Sequence, residues 1–291
     1  MPREDICHVS TPRRVISSVE KRWLSCPIPP CIIFVFFILL FPGTASGVTN
    51  SFLTDPYQIF HKHYSAVGGL EHLKKIRTIR SSGRIRYDGL FGTFLHWEES
   101  PLKHRTEENY GVISQIDGDS GEQAWFSDPN QHVLLLKDPD ILKRRKIAVL
   151  LDRFEHLNPL STIFKLDLGI DETIAGRSCY HLVLHNSIND DVLHFFIDRE
   201  NYYLLRSISK RPDTEIIIDY DDFQWVDQLL IPYHSHSQYL PWGTEEETWT
   251  EHQEFNIPID QSRFIPPPKR QDVHFPPATR SVSVPFLFVE N

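Results

Sequence analysis

The segment Gly118-Asp119-Ser120-Gly121 has the residue types of two kinds of protease site. Gly-Asp-Ser-Gly surrounds the nucleophile of trypsin-like proteases, and that serine needs a histidine held by an aspartate and an oxyanion hole. No histidine of this chain stands in the Ala-Ala-His-Cys setting typical of those enzymes. Asp119-Ser120-Gly121 also spells the aspartyl protease triplet, but that aspartate should follow two apolar residues and here follows glycine. We therefore predict a hairpin loop, with a turn at Asp117-Gly118, and no catalytic residue.

Histidine is the next residue type that could do chemistry, since the chain has 15 of them. On a helix, His61 and His63 would point roughly 200° apart, which excludes joint ligation of one metal ion. On a strand, His234 and His236 would share a face, as zinc ligands can, and the carboxylates of 245–247 follow soon after. Because no third ligand stands at a diagnostic spacing, we predict a solvated strand face.

Two acidic clusters have partial features of a calcium loop. The first, at 117–121, lacks the glutamate that EF-hand loops place at position twelve. The second, formed by Asp219, Asp221 and Asp222, is typical of a solvated strand end and turn. The sequence therefore predicts no metal ion and no other cofactor.

Cysteine usage also argues against catalysis. Three of the four cysteines, Cys7, Cys26 and Cys31, precede the predicted cleavage region of an export signal. Only Cys179 remains in the predicted folded part, in the strand-like run SCYHLVLH, so no disulfide can form within it. We predict that Cys179 is a small buried hydrophobic residue rather than a reactive thiol.

Aromatic side chains are the remaining signal for a ligand site. Each buried ring supplies a large apolar area, so packing of a core accounts for most of them. A subset on one face of a sheet would instead line a hollow that accepts a hydrophobic ligand. The residues predicted to line this hollow are Trp97, Trp125, Phe195 and Trp225.

Two helices must position this sheet. Asp55 can cap the first helix and Pro56 suits its first turn; Gly68 and Gly69 can end it. Its apolar stripe, at spacings of three and four, is predicted to face the core, with Lys62, His63 and Ser65 outward. The residues of that stripe are Tyr57, Phe60, Tyr64 and Val67.

The second helix opens at Asp138 and Pro139. It is predicted to bury Ile141, Ala148, Leu151 and Phe154, with the basic run 143–146 nearer solvent. It either covers one end of the sheet or acts as a mobile lid.

Between residues 76 and 256 the apolar pattern has a period of two, interrupted by turn residues such as Asp88-Gly89. This pattern indicates an antiparallel meander, and with the two helices an α+β fold that is mainly antiparallel β. The predicted strands are 76–87, 91–98, 102–109, 111–117, 122–127, 131–137, 177–186, 192–198, 203–210, 214–220, 229–239 and 245–256.

Charge and the chain ends restrict the cellular context. A net charge of −9 argues against nucleic-acid and anionic-membrane binding. Residues 1–47 combine a basic flank, an apolar run at 31–41 and small residues, as a secretory signal does. We predict export to the periplasm or extracellular space; the alternative is a membrane tether formed by 31–41. We further predict a domain at 48–262 and a Pro-rich linker at 263–280.

Several segments together resemble a known family. YSAVGGLEHLKKIRTIRSSGRI, GTFLHWEESPLKHRTE, DGDSGEQAWFSDP, FFIDRENYYLLR and FNIPIDQSRFIPP are similar, in order and spacing, to exported lipoprotein-carrier-like (LolA-like) domains. In particular, the chain resembles the version found upstream of a retroviral-type aspartyl protease domain in some bacterial proteins. The resemblance covers residues 55–268, and residues 281–291 are similar to the lead-in strand of that protease domain.

The resemblance implies a strongly curved, incompletely closed barrel of about ten to twelve strands covered by helices. It also implies that acyl chains are held in the hollow without cofactor or catalysis. We therefore expect an exported, non-enzymatic domain that binds a lipid, a lipidated protein segment or another hydrophobic ligand. The alternatives are an accessory or pro-region of an aspartyl protease, and an interaction module that docks partners through an edge strand or its Pro-rich tail.

Overall fold

The computed structural model describes residues 53–268 of the chain. The predicted export signal at 1–47, with its cysteines and the apolar run at 31–41, lies outside the described residues. So do residues 269–280 of the predicted linker and the tail at 281–291. Within 53–268, none of the helices has the length and apolarity needed to span a membrane.

The two predicted helices begin where the sequence predicts. Helix α1 (Pro56–Ala66) starts after Asp55, whose carboxylate accepts a hydrogen bond from the Tyr57 amide at 2.9 Å. Gly68 and Gly69 end it with positive φ angles, as predicted. The other helices are α2 (Leu70–Leu73), α3 (Pro139–Asp152) and the 3-10 turns Glu155–Leu157 and Gln261–Phe264.

Fourteen strands make up one sheet in the described part of the chain. Each of the twelve predicted strands has a counterpart, and two short strands, β7 and β8, were not predicted. The strands are β1 (Thr78–Tyr87), β2 (Leu90–Glu99), β3 (Lys103–Asn109), β4 (Ser114–Asp119), β5 (Ala124–Ser127), β6 (Val133–Leu136), β7 (Phe164–Leu168), β8 (Glu172–Ile174), β9 (Arg177–Asn186), β10 (Val192–Asp198), β11 (Leu204–Lys210), β12 (Glu215–Val226), β13 (Leu229–Leu240) and β14 (Thr244–Phe255).

The sheet is antiparallel throughout and strongly curved. Its strand order is β6-β5-β4-β3-β2-β1-β14-β13-β12-β11-β10-β9-β7, with β8 beside β9. It does not close, because β6 and β7 remain as opposite edges. The predicted α+β fold with an incompletely closed barrel is confirmed.

This topology determines where α3 lies. The chain leaves the sheet at one edge, β6, and re-enters it at the other edge, β7. The connection must therefore cross from edge to edge, and α3 does so over the concave face, where Ala148 and its neighbours line the space above the sheet.

The main core lies between α1, α3 and the second half of the sheet. Ile59, Phe60 and Tyr64 of α1 are buried against inward side chains such as Leu182 and Phe195. The ring centroids of Phe60 and Phe195 are 5.2 Å apart in an edge-to-face arrangement.

The prediction that His63 faces outward is wrong. His63 is buried, and its Nδ1 donates to the carbonyl oxygen of Tyr202 at 2.8 Å. The helix buries two adjacent rows, Ile59–His63 and Phe60–Tyr64, and not one stripe, because it packs deep in the curved sheet.

The turn predicted at Asp117-Gly118 is also wrong, whereas the Asp88-Gly89 turn is confirmed. Asp88 and Gly89 both have positive φ angles between β1 and β2, as a type I′ hairpin requires. Gly118 lies inside β4. A Cβ atom there would lie 2.6 Å from the Trp125 ring, so its glycine serves close packing and not a turn.

The turn that follows β4 is formed by Ser120–Gln123, where the Ser120 amide donates to the Gln123 carbonyl. Asp221 and Asp222, predicted as a turn, instead lie within β12, which continues to Val226.

Polar contacts hold α3 on the sheet. Arg145 donates two hydrogen bonds to the fully buried Asp119 carboxylate, at 2.6 and 3.0 Å, and a third to the Gly121 carbonyl at 2.9 Å. Arg144 donates to Asp191 at 3.2 Å. The prediction that the whole basic run 143–146 lies nearer solvent is therefore wrong for these two arginines.

We expect Arg145→Met to lower the free energy of unfolding by about 3 kcal/mol, because the buried Asp119 carboxylate would lose its cation. The matched control is Lys143→Met on the same helix. Lys143 pairs with Asp140 at an exposed site, and such pairs contribute less than about 1 kcal/mol. Urea denaturation of both variants measures the difference, and equal losses would contradict the anchoring role of Arg145.

Two histidines are buried at the inner side of α1: His63 belongs to the helix, and His156 packs against it. Burial lowers the pKa of His63 to about 4, against a weaker opposing effect of its hydrogen bond to Tyr202. Burial and the nearby His63 lower the pKa of His156 to about 3. His156 Nε2 lies 2.9 Å from the Tyr64 hydroxyl. Both rings are therefore neutral in the folded protein at neutral pH.

We expect acidification to destabilise the fold below about pH 6.5, because both histidines gain protons on unfolding. Because both pKa values are lower in the folded state, the stability that the neutral rings contribute above this pH is lost as the pH falls towards 4. The pKa of His194, which burial also lowers to about 4, adds to this trend, and the raised pKa of His104 opposes it. Between about pH 7.5 and about pH 5.5 the unfolding free energy should fall by roughly 2 kcal/mol.

Urea titrations at several pH values measure this slope. His156→Gln should flatten it, whereas the exposed His132→Gln should leave it unchanged. A slope that is the same in all three proteins would assign the acid sensitivity to other groups.

Candidate functional site

A cavity of about 300 Å³ lies between the concave face of the sheet and α3. Strands β1–β4 form one wall and β12–β14 form the other, while α3 contributes Arg144, Arg145 and Ala148. The cavity exists because α3 crosses from edge to edge and does not lie flat on the sheet.

One part of the wall is apolar. The side chains of Ile79, Ser81 and Ile85 all point inward from β1, because every second residue of a strand faces the same side of the sheet. The remaining apolar residues of this wall are Phe94, Leu102, Ile231, Tyr233 and Phe255. Methylene groups of a ligand would be removed from water on contact with this surface.

Apart from Phe94 on β2, the residues of β2, β3 and β4 that line the cavity are polar. The strand register places Glu98, His104 and Asp119 side by side in one row across these strands. The next row along consists of His96, Thr106 and Asp117. We call these six residues the polar ladder, and all of them line the cavity.

The ladder is internally connected. His96 Nδ1 lies 3.1 Å from the Thr106 hydroxyl, and His104 Nε2 lies 3.6 Å from the Asp117 carboxylate. Burial lowers the pKa of His104, but Asp117 and Asp119 outweigh that effect, so its pKa is raised above the usual value. The ladder can therefore both donate and accept hydrogen bonds towards the cavity.

A second cavity of about 120 Å³ lies on the other side of α3, against β9–β12. Arg144, Ala148 and Tyr220 line both cavities, so the two adjoin beneath the helix. The Tyr220 hydroxyl lies 3.0 Å from the Ser207 hydroxyl, and burial raises the pKa of Tyr220 to about 12.

The four predicted hollow residues are not brought together. Phe195 lines the smaller cavity. Trp97 packs under the Arg263 guanidinium, 4.4 Å from its ring centroid, and Trp125 donates from Nε1 to the Phe264 carbonyl at 3.0 Å. Trp225 is 40% exposed on β12.

Trp97 and Trp125 instead form part of a small core on the convex face. Phe264 is buried there, so the described fold continues past residue 262. That the four residues predicted to line the hollow contact a ligand stays a prediction.

Sequence reasoning missed the polar ladder. Its signal is in β3, whose residues KHRTEEN include no apolar side chain although the strand lies inside the sheet. A strand that is polar on both faces requires a polar environment on its inner face. Reading the two faces of β3 separately would have indicated a hydrated or ligand-binding cavity.

Of the metal and thiol candidates, His234 also lines the larger cavity, whereas His236 and Cys179 line neither cavity. His234 lies between Asp221 and Glu247, at 2.7 and 2.9 Å, and His236 lies 3.6 Å from Glu245. Among residues 53–268, no group of three His, Cys, Asp or Glu side chains is placed to hold a metal ion. Cys179 is buried, as predicted, and burial raises the pKa of its thiol.

Comparison with known proteins finds no matching protein-family model and no matching curated protein. Among solved structures, the fold is similar to a putative outer membrane lipoprotein-sorting protein domain from Vibrio parahaemolyticus, with 10% identity and a TM-score of 0.45, over 72% of this chain and 95% of that one.

It is also similar to a DUF1329 family protein from Desulfovibrio piger, with 11% identity and a TM-score of 0.49, over 73% of this chain and 98% of that one. A third similar structure is a LolA superfamily protein from Nitrosomonas europaea, with 13% identity and a TM-score of 0.46, over 70% of this chain and 97% of that one.

Proposed function

We propose that this chain is an exported, non-catalytic binding domain that holds a hydrophobic ligand in the concave face of its sheet. The observation that carries the proposal is the cavity of about 300 Å³ beneath α3. Its apolar wall can bury an alkyl chain or a lipidated segment, and the polar ladder can meet the polar part of the same ligand.

The energetics of such a ligand are favourable. Each methylene buried from water contributes about 0.8 kcal/mol, so six to eight of them offset a substantial cost of ordering the ligand. Contacts such as Ile79 and Phe255 supply the surface for this burial. We expect an amphiphile to fit this cavity better than an alkane does. An alkane would remove water from the carboxylates and imidazoles of the polar ladder without offering them hydrogen bonds.

Export and domain organisation remain part of this proposal. Export rests on the signal-like composition of residues 1–47. The domain predicted at 48–262 is proposed to extend through Phe264, with the remainder of the Pro-rich segment up to residue 280 following it. The association with an aspartyl protease, indicated by residues 281–291, stays a separate prediction.

We expect Ala148→Trp to weaken binding of the neutral hydrophobic probe N-phenyl-1-naphthylamine by at least about tenfold, because the indole would occupy the junction of the two cavities. Space is present there, so the usual cost of overpacking is reduced. A fluorescence titration of the purified protein measures the affinity, and a thermal melt verifies folding.

The matched control is Lys146→Trp, which adds the same side chain to the exposed side of α3. Equal probe affinities in the two variants would place the probe outside the cavity. Failure of the unsubstituted protein to bind any neutral hydrophobic probe would remove the basis of the proposed function.

A further inference from the structure

Arg211 is a buried cation at the smaller cavity. Its side chain is 6% exposed, and its Nε makes no hydrogen bond within the described residues. The nearest carboxylate, Asp191, lies 3.5 Å away, which exceeds the distance of a well-formed charge-assisted hydrogen bond. A buried guanidinium N–H without an acceptor is costly, and Arg211 lines the cavity, so its side chain is placed to meet an acceptor there.

The local charges favour an anion. Arg144 donates to Asp191 Oδ2 at 3.2 Å, and Arg211 approaches the same oxygen, so two guanidinium groups share one carboxylate. The other acidic group near Arg211, Asp213, is exposed and already accepts a hydrogen bond from Thr214. Burial and the charge of Arg144 lower the pKa of Arg211 to about 9, as expected for a cation that lacks full compensation.

The rest of the cavity wall is mixed: Asn186, Ser207, Ser209 and Tyr220 line it together with a larger apolar set. Leu184, Leu193, Phe195 and Ile216 face the space next to the two arginines. A free inorganic anion would leave this surface in contact with water, whereas the alkyl chain of an amphiphile would cover it.

The cavity size restricts how much ligand fits. Its volume of about 120 Å³ is close to that of an engineered protein cavity of about 150 Å³ that accepts benzene. It therefore accommodates a head group and a short alkyl segment. A longer chain must continue past Ala148 and Tyr220, which line both cavities, into the larger one.

We propose that the smaller cavity binds the anionic head group of a single-chain amphiphile, with Arg211 as the donor and the alkyl chain directed beneath α3 into the larger cavity. This inference rests on the proposed function and adds the charge of the ligand and its direction. A long-chain carboxylate is the simplest ligand of this class, since guanidinium groups bind carboxylates with paired hydrogen bonds.

Competition against N-phenyl-1-naphthylamine tests the inference, with dodecanoate, dodecanol and acetate as competitors below micelle formation. Dodecanoate should bind the unsubstituted protein at least about tenfold more tightly than dodecanol, because it alone supplies the acceptor for Arg211. Acetate should compete poorly, since it lacks the chain.

Arg211→Gln should remove the preference for dodecanoate and leave dodecanol unaffected. The matched control is Arg84→Gln, which removes an exposed guanidinium that pairs with Glu251 away from both cavities. Equal affinities of dodecanoate and dodecanol for the unsubstituted protein overturn the inference even if Arg211→Gln does not fold.

The outcomes separate this inference from the proposed function. If dodecanol and dodecanoate both displace the probe with equal affinity, the proposed function stands and the anionic subsite is overturned. If the preference survives Arg211→Gln in a folded variant, the anion binds elsewhere and the inference is overturned. If neither competitor displaces the probe, the proposed function fails and the subsite with it.

Discussion

The antiparallel pairing of β1 with β14 is the constraint on which the other features of the structure depend. It joins two meanders back to back, so that each extends outward from the centre of the sheet and ends at an opposite edge. A bulge between Ser82 and Gly83 bends this junction, and a Cβ at Gly83 would lie 2.0 Å from the Trp249 carbonyl oxygen. The long connection from β6 to β7 must then cross the concave face, which places α3 over the sheet.

The two meanders use their inner faces differently. The second half of the sheet packs Leu182, Phe195 and other apolar side chains against α1 and forms an ordinary core. The first half faces inward with the polar ladder, which meets α3 through the pair of Asp119 with Arg145 and otherwise lines the larger cavity. Apolar contact with the helix, of the kind that fills the second half, is unfavourable there because burying unpaired polar groups costs hydration.

The elements were more predictable than the site. Helix α1 and the Asp88-Gly89 hairpin follow from local chemistry, since caps and turns are determined by residues next to one another in sequence. Trp97 and Trp125 were assigned to the hollow because aromatic residues alone do not indicate which sheet face they occupy. That face is set by strand register and by the segment around Phe264, which packs on the convex side. Arg145 looked solvent-facing because its partner, Asp119, lies 26 residues away in sequence.

Adjacent arginines on α3 show how one helix serves both halves of the sheet. Consecutive residues of a helix point about 100° apart, so Arg144 and Arg145 reach in different directions. Arg145 contacts Asp119 on β4 in the first meander, while Arg144 contacts Asp191 beside β10 in the second. Arg145 donates two hydrogen bonds to the Asp119 carboxylate, whereas Arg144 shares the Asp191 carboxylate with Arg211. The electrostatic compensation is therefore complete on one side of the helix and incomplete on the other. The proposed anionic ligand would meet Arg211 on the second side, which would orient its chain beneath α3.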